Sequence, residues 1–511
     1  MGEFDSRIPL MISAIIIATL VTIYSLAPLL EHLTQSLPDT QDGLLIVWIL
    51  NQTVAKIPFG IEKVFQTNIF YPYTNTLGFT NTLIPSAIIG KFAEAFGYIA
   101  VANFATISAQ FLTTLFSYLF IRDVTKSRFA ASIATVAFTL SQIRFLYVQH
   151  LQLFVLQWFV LALWMIYRFF KVKKPKYLYF ASLIAAIQMW ENILPIYWLV
   201  VFATVFSLKN LALLRRNKKH IFFSALMLLV LSFPILYLYQ NTHSVHHFAR
   251  SIRDAAHFSL DIKQFFTVFF SFGLFVSTIY AVFISKVVNK KFIVILVTTF
   301  VLALGPVLKF NGETVKLIER LPIPLPYSLL YFAVPGFNAF RTTSRWLIPF
   351  SFTMSLILAQ SLALIVQEKK YVSTLLIIIL IILGSTRLMH VEQVRQDVPE
   401  VYTWLSKQDI DTVLELPIYG LGEIGAIYET QRMYYSLFHN KTLVNGYSGF
   451  LPEYQTSLIH NFEDTNIQAE FVIVNKHLDK ESYFQNYFFT RLTDIYEDDQ
   501  FVVYNLVQLN N

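Results

Sequence analysis

Two aspartates, Asp39 and Asp42, stand three residues apart in Pro38-Asp39-Thr40-Gln41-Asp42-Gly43, directly after the first long apolar segment. If Asp39 caps a helix there, both carboxylates fall near its N-terminus on nearly the same face. Such a pair can answer the helix macrodipole, act as a general base, or jointly hold a divalent cation such as Mg or Mn. Two acids at this spacing are a weak signal alone. Their place at the end of an apolar segment gives them weight.

Other polar groups recur between apolar stretches. Arg144 and His150, in Arg144-Phe145-Leu146-Tyr147-Val148-Gln149-His150-Leu151-Gln152, suit a phosphate or a proton transfer, and an arginine at a helix end also snorkels to headgroups. Glu191, beside Asn192, is an expensive acid if it faces inward and costs nothing at a loop tip. From Gln240 to Lys263 the chain gathers His243, His246, His247, Arg250, Arg253, Asp254 and His257. These histidines lack a clean metal-ligand pattern, whereas Arg250 and Arg253 offer guanidinium forks matched to phosphate oxygens. Arg341 and Arg345, at i and i+4 ahead of Trp346, would share one helical face suited to a polyanionic headgroup, or simply anchor the helix at an interface. Near the C-terminus, Asn445-Gly446-Tyr447-Ser448-Gly449 reads as a sugar-contacting loop built on Tyr447 or as a structural turn. The chain has no phosphate-cradling glycine loop, nucleophile elbow or zinc signature.

The elements that must position these groups follow from composition. With 55% hydrophobic and only 14% charged residues in 511, the chain reads as a polytopic α-helical membrane protein. A span needs about 20 apolar residues, which gives about eleven transmembrane helices. They are expected near 8–30, 98–121, 129–147, 151–170, 177–191, 193–208, 220–239, 264–285, 291–308, 346–366 and 371–387. The run after Arg7 is too long for a secretory signal and reads as a retained first span.

Every second connection is basic, as in Lys171-Val172-Lys173-Lys174-Pro175-Lys176 and Arg215-Arg216-Asn217-Lys218-Lys219, which places the N-terminus in the cytoplasm. The formal charge of +7 is therefore topological and does not imply nucleic acid. The absence of cysteine excludes disulfides and thiolate chemistry.

An odd number of spans puts the tail outside. The expected division is a transmembrane domain, 1–387, with a long first external loop at 31–97, and an external soluble α/β domain, 388–511. The tail's strand-like runs are Thr412–Leu416, Phe471–Val474 and Phe501–Tyr504. Within the first loop, Asp42 to Lys56 reads as an amphipathic helix lying in the membrane interface, with Trp48 at headgroup level.

Taken in order, Asp39-Thr40-Gln41-Asp42 leading to Trp48, Asn68-Ile69-Phe70-Tyr71-Pro72, His150-Leu151-Gln152, Arg250-Ser251 through Ser259, Phe340-Arg341 to Arg345, and Asn445 to Gly449 resemble the GT-C superfamily of integral-membrane glycosyltransferases, in a poorly characterised bacterial branch. The resemblance runs over most of the chain. It implies an enzyme of the bacterial cytoplasmic membrane that transfers a sugar from a polyprenyl-phosphate donor to an external glycan, lipid or protein acceptor, with inversion. On this likeness Asp39 or Asp42 deprotonates the acceptor, and Arg250, Arg341 or Arg345 stabilises the departing phosphate. One departure is that several GT-C enzymes carry another acid in the second external loop, where this chain offers Arg144 and His150. The competing expectations are a non-catalytic scaffold or assembly subunit that binds lipid-linked glycan and, ranked last, a transporter, since the spans lack internal acid pairs and repeat symmetry.

Overall fold

Long apolar runs bounded by basic residues leave the backbone one economical way to satisfy its own hydrogen bonds, and the chain is accordingly mostly helical. The computed structural model describes residues 7–507 apart from 249, 319, 386–388 and 396. Among these, five helices are long and apolar enough to cross a membrane by length and composition: Pro9–Glu31, Tyr98–Thr125, Leu151–Val172, Lys218–His246 and Thr343–Gln367. Arg128–Thr139, Leu194–Ser207, Phe272–Ser285 and Tyr371–Gly384 are apolar but shorter. Each expected span contains a helix, and several are interrupted. The stretch expected at 264–285 is divided into Ile262–Thr267 and Phe272–Ser285.

The chain forms two compact units. One, the helical unit, comprises Met1–Leu30, Thr106–Pro234 and Ala249–Met389. Its centre is the helix Leu347–Gln367, which is apolar nearly all round and buried along most of its length. Phe352 on that helix meets Phe138 at 5.0 Å, Phe120 at 5.8 Å and Phe159 at 6.1 Å, tying three neighbouring helices to it. Helices Phe272–Ser285 and Tyr371–Gly384 come together where two glycines face each other. A Cβ on Gly384 would lie 2.1 Å from the Gly273 nitrogen, so only glycine permits that approach.

The other, the sheet unit, comprises Glu31–Ala105, Ile235–Phe248 and His390–Asn511. The expected division at 387/388 falls on residues outside those described, but the loop 31–97 belongs to the same compact unit as the chain after His390. Five strands form its sheet: β1 (Thr412–Leu416), β2 (Thr442–Leu443), β3 (Phe471–Asn475), β4 (Asp494–Glu497) and β5 (Phe501–Asn505). Their order is β4-β5-β3-β1-β2. β1 pairs parallel with β2 and β3, and β5 pairs antiparallel with β3 and β4. Three of these strands match the apolar runs in the sequence. β2 is too short and β4 too polar to announce itself.

Beyond β2 the sheet edge is continued by the first loop. The Leu443 N–H donates to Asn68 O at 2.8 Å, the Tyr71 N–H to Leu443 O at 3.0 Å and the Phe70 N–H to Asn445 O at 3.0 Å. An edge strand left bare would expose these groups, and the Asn68–Tyr71 segment satisfies them. Gly446 sits beneath this crossing, where a Cβ would lie 2.7 Å from the Phe70 ring.

The helix Asp42–Lys56 corrects an expectation. It does not present a polar face to a headgroup layer: Trp48 is fully buried, its indole N–H donates to Asn68 Oδ1 at 3.0 Å, and Asn51 and Gln52 are buried as well. It packs against the helices Glu423–His439 and Ile84–Gly90. Polar residues that alternate with apolar ones marked interior hydrogen bonds, as when Asn51 donates to Tyr98 O at 3.0 Å.

Candidate functional site

In the sheet unit the chain leaving the first helix forms a two-residue antiparallel ladder, Ser36–Leu37 against Glu392–Gln393, and then turns into the helix that starts at Asp42. Asp39 lies outside that helix and serves its beginning: its Oδ1 accepts the N–H of Gln41 at 2.7 Å and of Gly43 at 3.1 Å. Asp39 and Asp42 therefore do not share a helical face, although both are half-buried at the same turn. Between them, Thr40 donates its N–H and its hydroxyl to Glu392 Oε2 at 2.8 and 2.7 Å. Glu392 is thus a third acid at this corner, and only tertiary structure brings it there. Among the described residues, no group of three or more His, Cys, Asp or Glu side chains is arranged to hold a metal ion.

The loop bearing Tyr447 stands on a buried ionic network of the same unit. Asn445 is completely buried; its Oδ1 accepts the Glu415 N–H at 2.7 Å, and its amide donates to Glu415 O at 2.8 Å and Glu429 Oε2 at 3.1 Å. Arg432 bonds Glu429 Oε1 at 2.7 Å and lies 3.5 Å from Glu415 Oε2, which also accepts the Tyr402 hydroxyl at 2.7 Å. Burial pushes the Glu415 carboxyl up to about 7, with Arg432 and Tyr402 opposing and Glu429 reinforcing the rise. Burial likewise raises Glu429 against the pull of Arg432. Both carboxyls beside the one guanidinium therefore take up a proton more readily than exposed carboxyls do. Tyr447 itself is half-buried, with its N–H on Met433 Sδ at 3.2 Å, so the segment is at once a braced turn and a presented aromatic.

The arginines expected to meet phosphate lie in the helical unit. Ser251 and Asp254 form a reciprocal capping box that starts the helix Ile252–His257. This fixes the chain around Arg250, whose carbonyl accepts the Tyr331 hydroxyl. Arg250 is half-buried and held below the usual guanidinium range by burial and then by the neighbouring charge of Arg341, eased by Asp254. Arg341 stacks over Phe258 with 4.9 Å between its Cζ and the ring centroid. Arg250 and Arg341 are therefore close, although 91 residues separate them in sequence. Arg253 is exposed on the same short helix.

Arg345 stands apart from the expectation. Residues 340–342 are not helical and Thr343–Trp346 is a 3-10 turn, so Arg341 and Arg345 do not share an α-helical face. Ser344, beside Arg345, meets the Tyr147 hydroxyl at 3.4 Å. His150 is half-buried at the start of Leu151–Phe154. Glu191 faces inward and is completely buried, and its neighbour Asn192 bonds Gln152 O at 2.9 Å. Arg144 is also buried, on the short helix Gln142–Phe145, with its Nε on Gln110 Oε1 at 3.1 Å.

Glu392, Glu415, Glu429, Arg432 and Gln110 escaped the sequence reading. Glu415, the single charge inside the apolar run Thr412–Leu416, carried a usable signal, because an acid at a strand position buried on both faces needs a dedicated partner. Glu429 and Arg432, at i and i+3, look like an ordinary surface pair until the sheet covers them.

The chain matches no protein-family profile, and no curated protein sequence matches it. Its structure is similar to the crystal structure of the Archaeoglobus fulgidus oligosaccharyltransferase in complex with zinc and sulfate, at 13% sequence identity and a TM-score of 0.48 over 92% of this chain and 69% of that one. A likeness of that depth leaves the functional assignment to the side chains.

Proposed function

We propose that this protein is a glycosyltransferase of the bacterial cytoplasmic membrane, moving a sugar from a polyprenyl-phosphate-linked donor to an acceptor hydroxyl outside the cell. In this reading the spans number about eleven, the N-terminus is cytoplasmic and the residues after 388 are external. The observation that carries the proposal is the acid corner: Asp39 is pinned by two backbone N–H groups, with Asp42 three residues on and Glu392 bound to the Thr40 between them.

Asp39 takes the acceptor proton, with Asp42 as the alternative base. The acceptor oxygen forms a bond to the anomeric carbon as the bond from that carbon to the donor phosphate oxygen breaks. The bonding pair leaves with the polyprenyl phosphate, and a single displacement inverts the anomeric centre. Arg250, Arg253, Arg341 and Arg345, in the helical unit, have the guanidinium chemistry that binds a phosphate. Tyr447 offers an aromatic face for a sugar ring. A divalent cation on Asp42 and Asp39 would draw the rest of its shell from water and substrate oxygens and would polarise a phosphate. No step here depends on it.

A non-catalytic glycan-binding subunit is the second reading, favoured by the use of Asp39 Oδ1 as a helix-start acceptor. Transfer of labelled sugar by purified protein decides between them. Asp39→Asn and Asp42→Asn, singly and together, are expected to lower the rate about a hundredfold or more while donor binding persists. Unchanged transfer in the double variant defeats the assignment of the base. Donor binding without turnover by the unaltered protein, across a panel of acceptors, establishes the second reading instead.

A further inference from the structure

Buried charges in this protein are generally answered by neighbours. Asp123 accepts from Lys126 at 2.6 Å, Lys171 at 3.3 Å and the Trp164 indole at 3.1 Å, and Arg432 lies between Glu415 and Glu429. Arg144 differs. Its side chain is enclosed, with 2% of the residue exposed, yet its only hydrogen bond among the described residues is from Nε to the neutral Gln110. Nη1 and Nη2 are both buried and neither bonds any described residue.

The ring of Phe154 lies 4.3 Å from the guanidinium carbon and that of Phe138 6.0 Å. Cation–π contact offsets only part of what an enclosed charge costs when it has no counter-ion among the described residues. Gln110 cannot turn to help, because its amide nitrogen is spent on Ser25 Oγ at 3.1 Å and Thr139 O at 3.4 Å. What is left is a guanidinium beside two aromatic rings, with Nε anchored and the two-nitrogen edge unbonded among the described residues. That edge matches a pair of oxygens on one tetrahedral anion, while a single halide satisfies it poorly. Three residues earlier, the buried hydroxyl of Ser141 is also without a hydrogen bond among the described residues.

We propose that Arg144, oriented by Gln110, is a buried oxyanion site of the helical unit that takes two oxygens of a phosphate or phosphate monoester on its Nη edge. The site does not require that the protein transfer sugar. Its ligand chemistry has two sources, inorganic phosphate from solution and the headgroup of a phosphorylated lipid.

The test uses the full chain in two settings: delipidated in detergent with inorganic phosphate as the probe, and in nanodiscs of zwitterionic lipid with added polyprenyl monophosphate. Thermal unfolding against probe concentration reports binding. Arg144→Met is expected to weaken the apparent affinity about tenfold or more, the loss of one to two charge-assisted hydrogen bonds. Gln110→Glu provides an internal carboxylate for the guanidinium and should abolish the response while leaving the protein at least as stable without probe; it serves where Arg144→Met fails to fold. A response to inorganic phosphate establishes a soluble-anion site, and a response to polyprenyl phosphate alone a headgroup site. No response in either setting, or the same response in wild type and both variants, overturns the proposal.

Discussion

Replacing Glu415 by Gln tests whether the network under the Tyr447 loop stores a proton. In the folded protein the Glu415 carboxyl is pushed from an ordinary 4.5 up to about 7. Between those values the folded chain holds a proton that the unfolded chain has released, so stability falls as pH rises through the window and levels off above about 7. A shift of this size corresponds to about 3 kcal/mol at roughly 1.4 kcal/mol per pH unit. For a cooperative unit of about 200 residues that is a change in Tm of about 6–12 °C. Glu415→Gln removes the titration, so the Tm difference, variant minus wild type, should become more positive by that amount between pH 4.5 and pH 8. Any constant penalty from the changed hydrogen bonds cancels in the comparison. The assay is thermal unfolding of the full chain in detergent followed by tryptophan fluorescence, with Trp404, stacked on Phe471 of β3 at 6.0 Å, as a reporter in the sheet unit. A difference that stays flat across the range refutes the reasoning and returns Glu415 to the ordinary carboxylate range.

His439 acts in the opposite sense. Burial and then the nearby charge of Lys441 hold it down at about 3, so stability should fall as pH drops from about 6.5 towards 3, and His439→Phe, which keeps the stack on Tyr402, should flatten that acid limb of the Tm profile. Asp123→Asn leaves Lys126, Arg168 and Lys171 without their shared carboxylate and should cost about 2–3 kcal/mol, read as a lower unfolding temperature that added salt partly restores.

How much could be read in advance depended on whether the signal was local. The helices were legible because an apolar run of sufficient length has few alternatives, and β1, β3 and β5 because β-branched and aromatic runs flanked by turns behave likewise. The helix Asp42–Lys56 was legible as a helix and misread as to place. Its pattern of Leu44, Val47 and Trp48 with Asn51 and Gln52 is equally that of an interfacial helix and of a buried one whose amides are answered from elsewhere. Arg341 and Arg345 were misjudged for a related reason: i, i+4 spacing has meaning only inside a helix, and the helix begins at Leu347.

The sequence by itself determined the class of the protein, its helices, the three apolar strands and the positions of its scarce charges, since each follows from the cost of exposing apolar surface or burying polar groups over a short stretch of chain. Tertiary structure decided which charges meet. Glu392 comes beside Thr40, Arg341 near Arg250, and Glu415 between Tyr402 and Arg432 through contacts that no local spacing encodes. It also separated an acid that caps a helix from one whose carboxyl is raised by burial, and an arginine that is paired from Arg144, whose outer edge has no partner among the described residues. The physical reason is that burial and partnership set the energy of a charge, and both are properties of the folded chain.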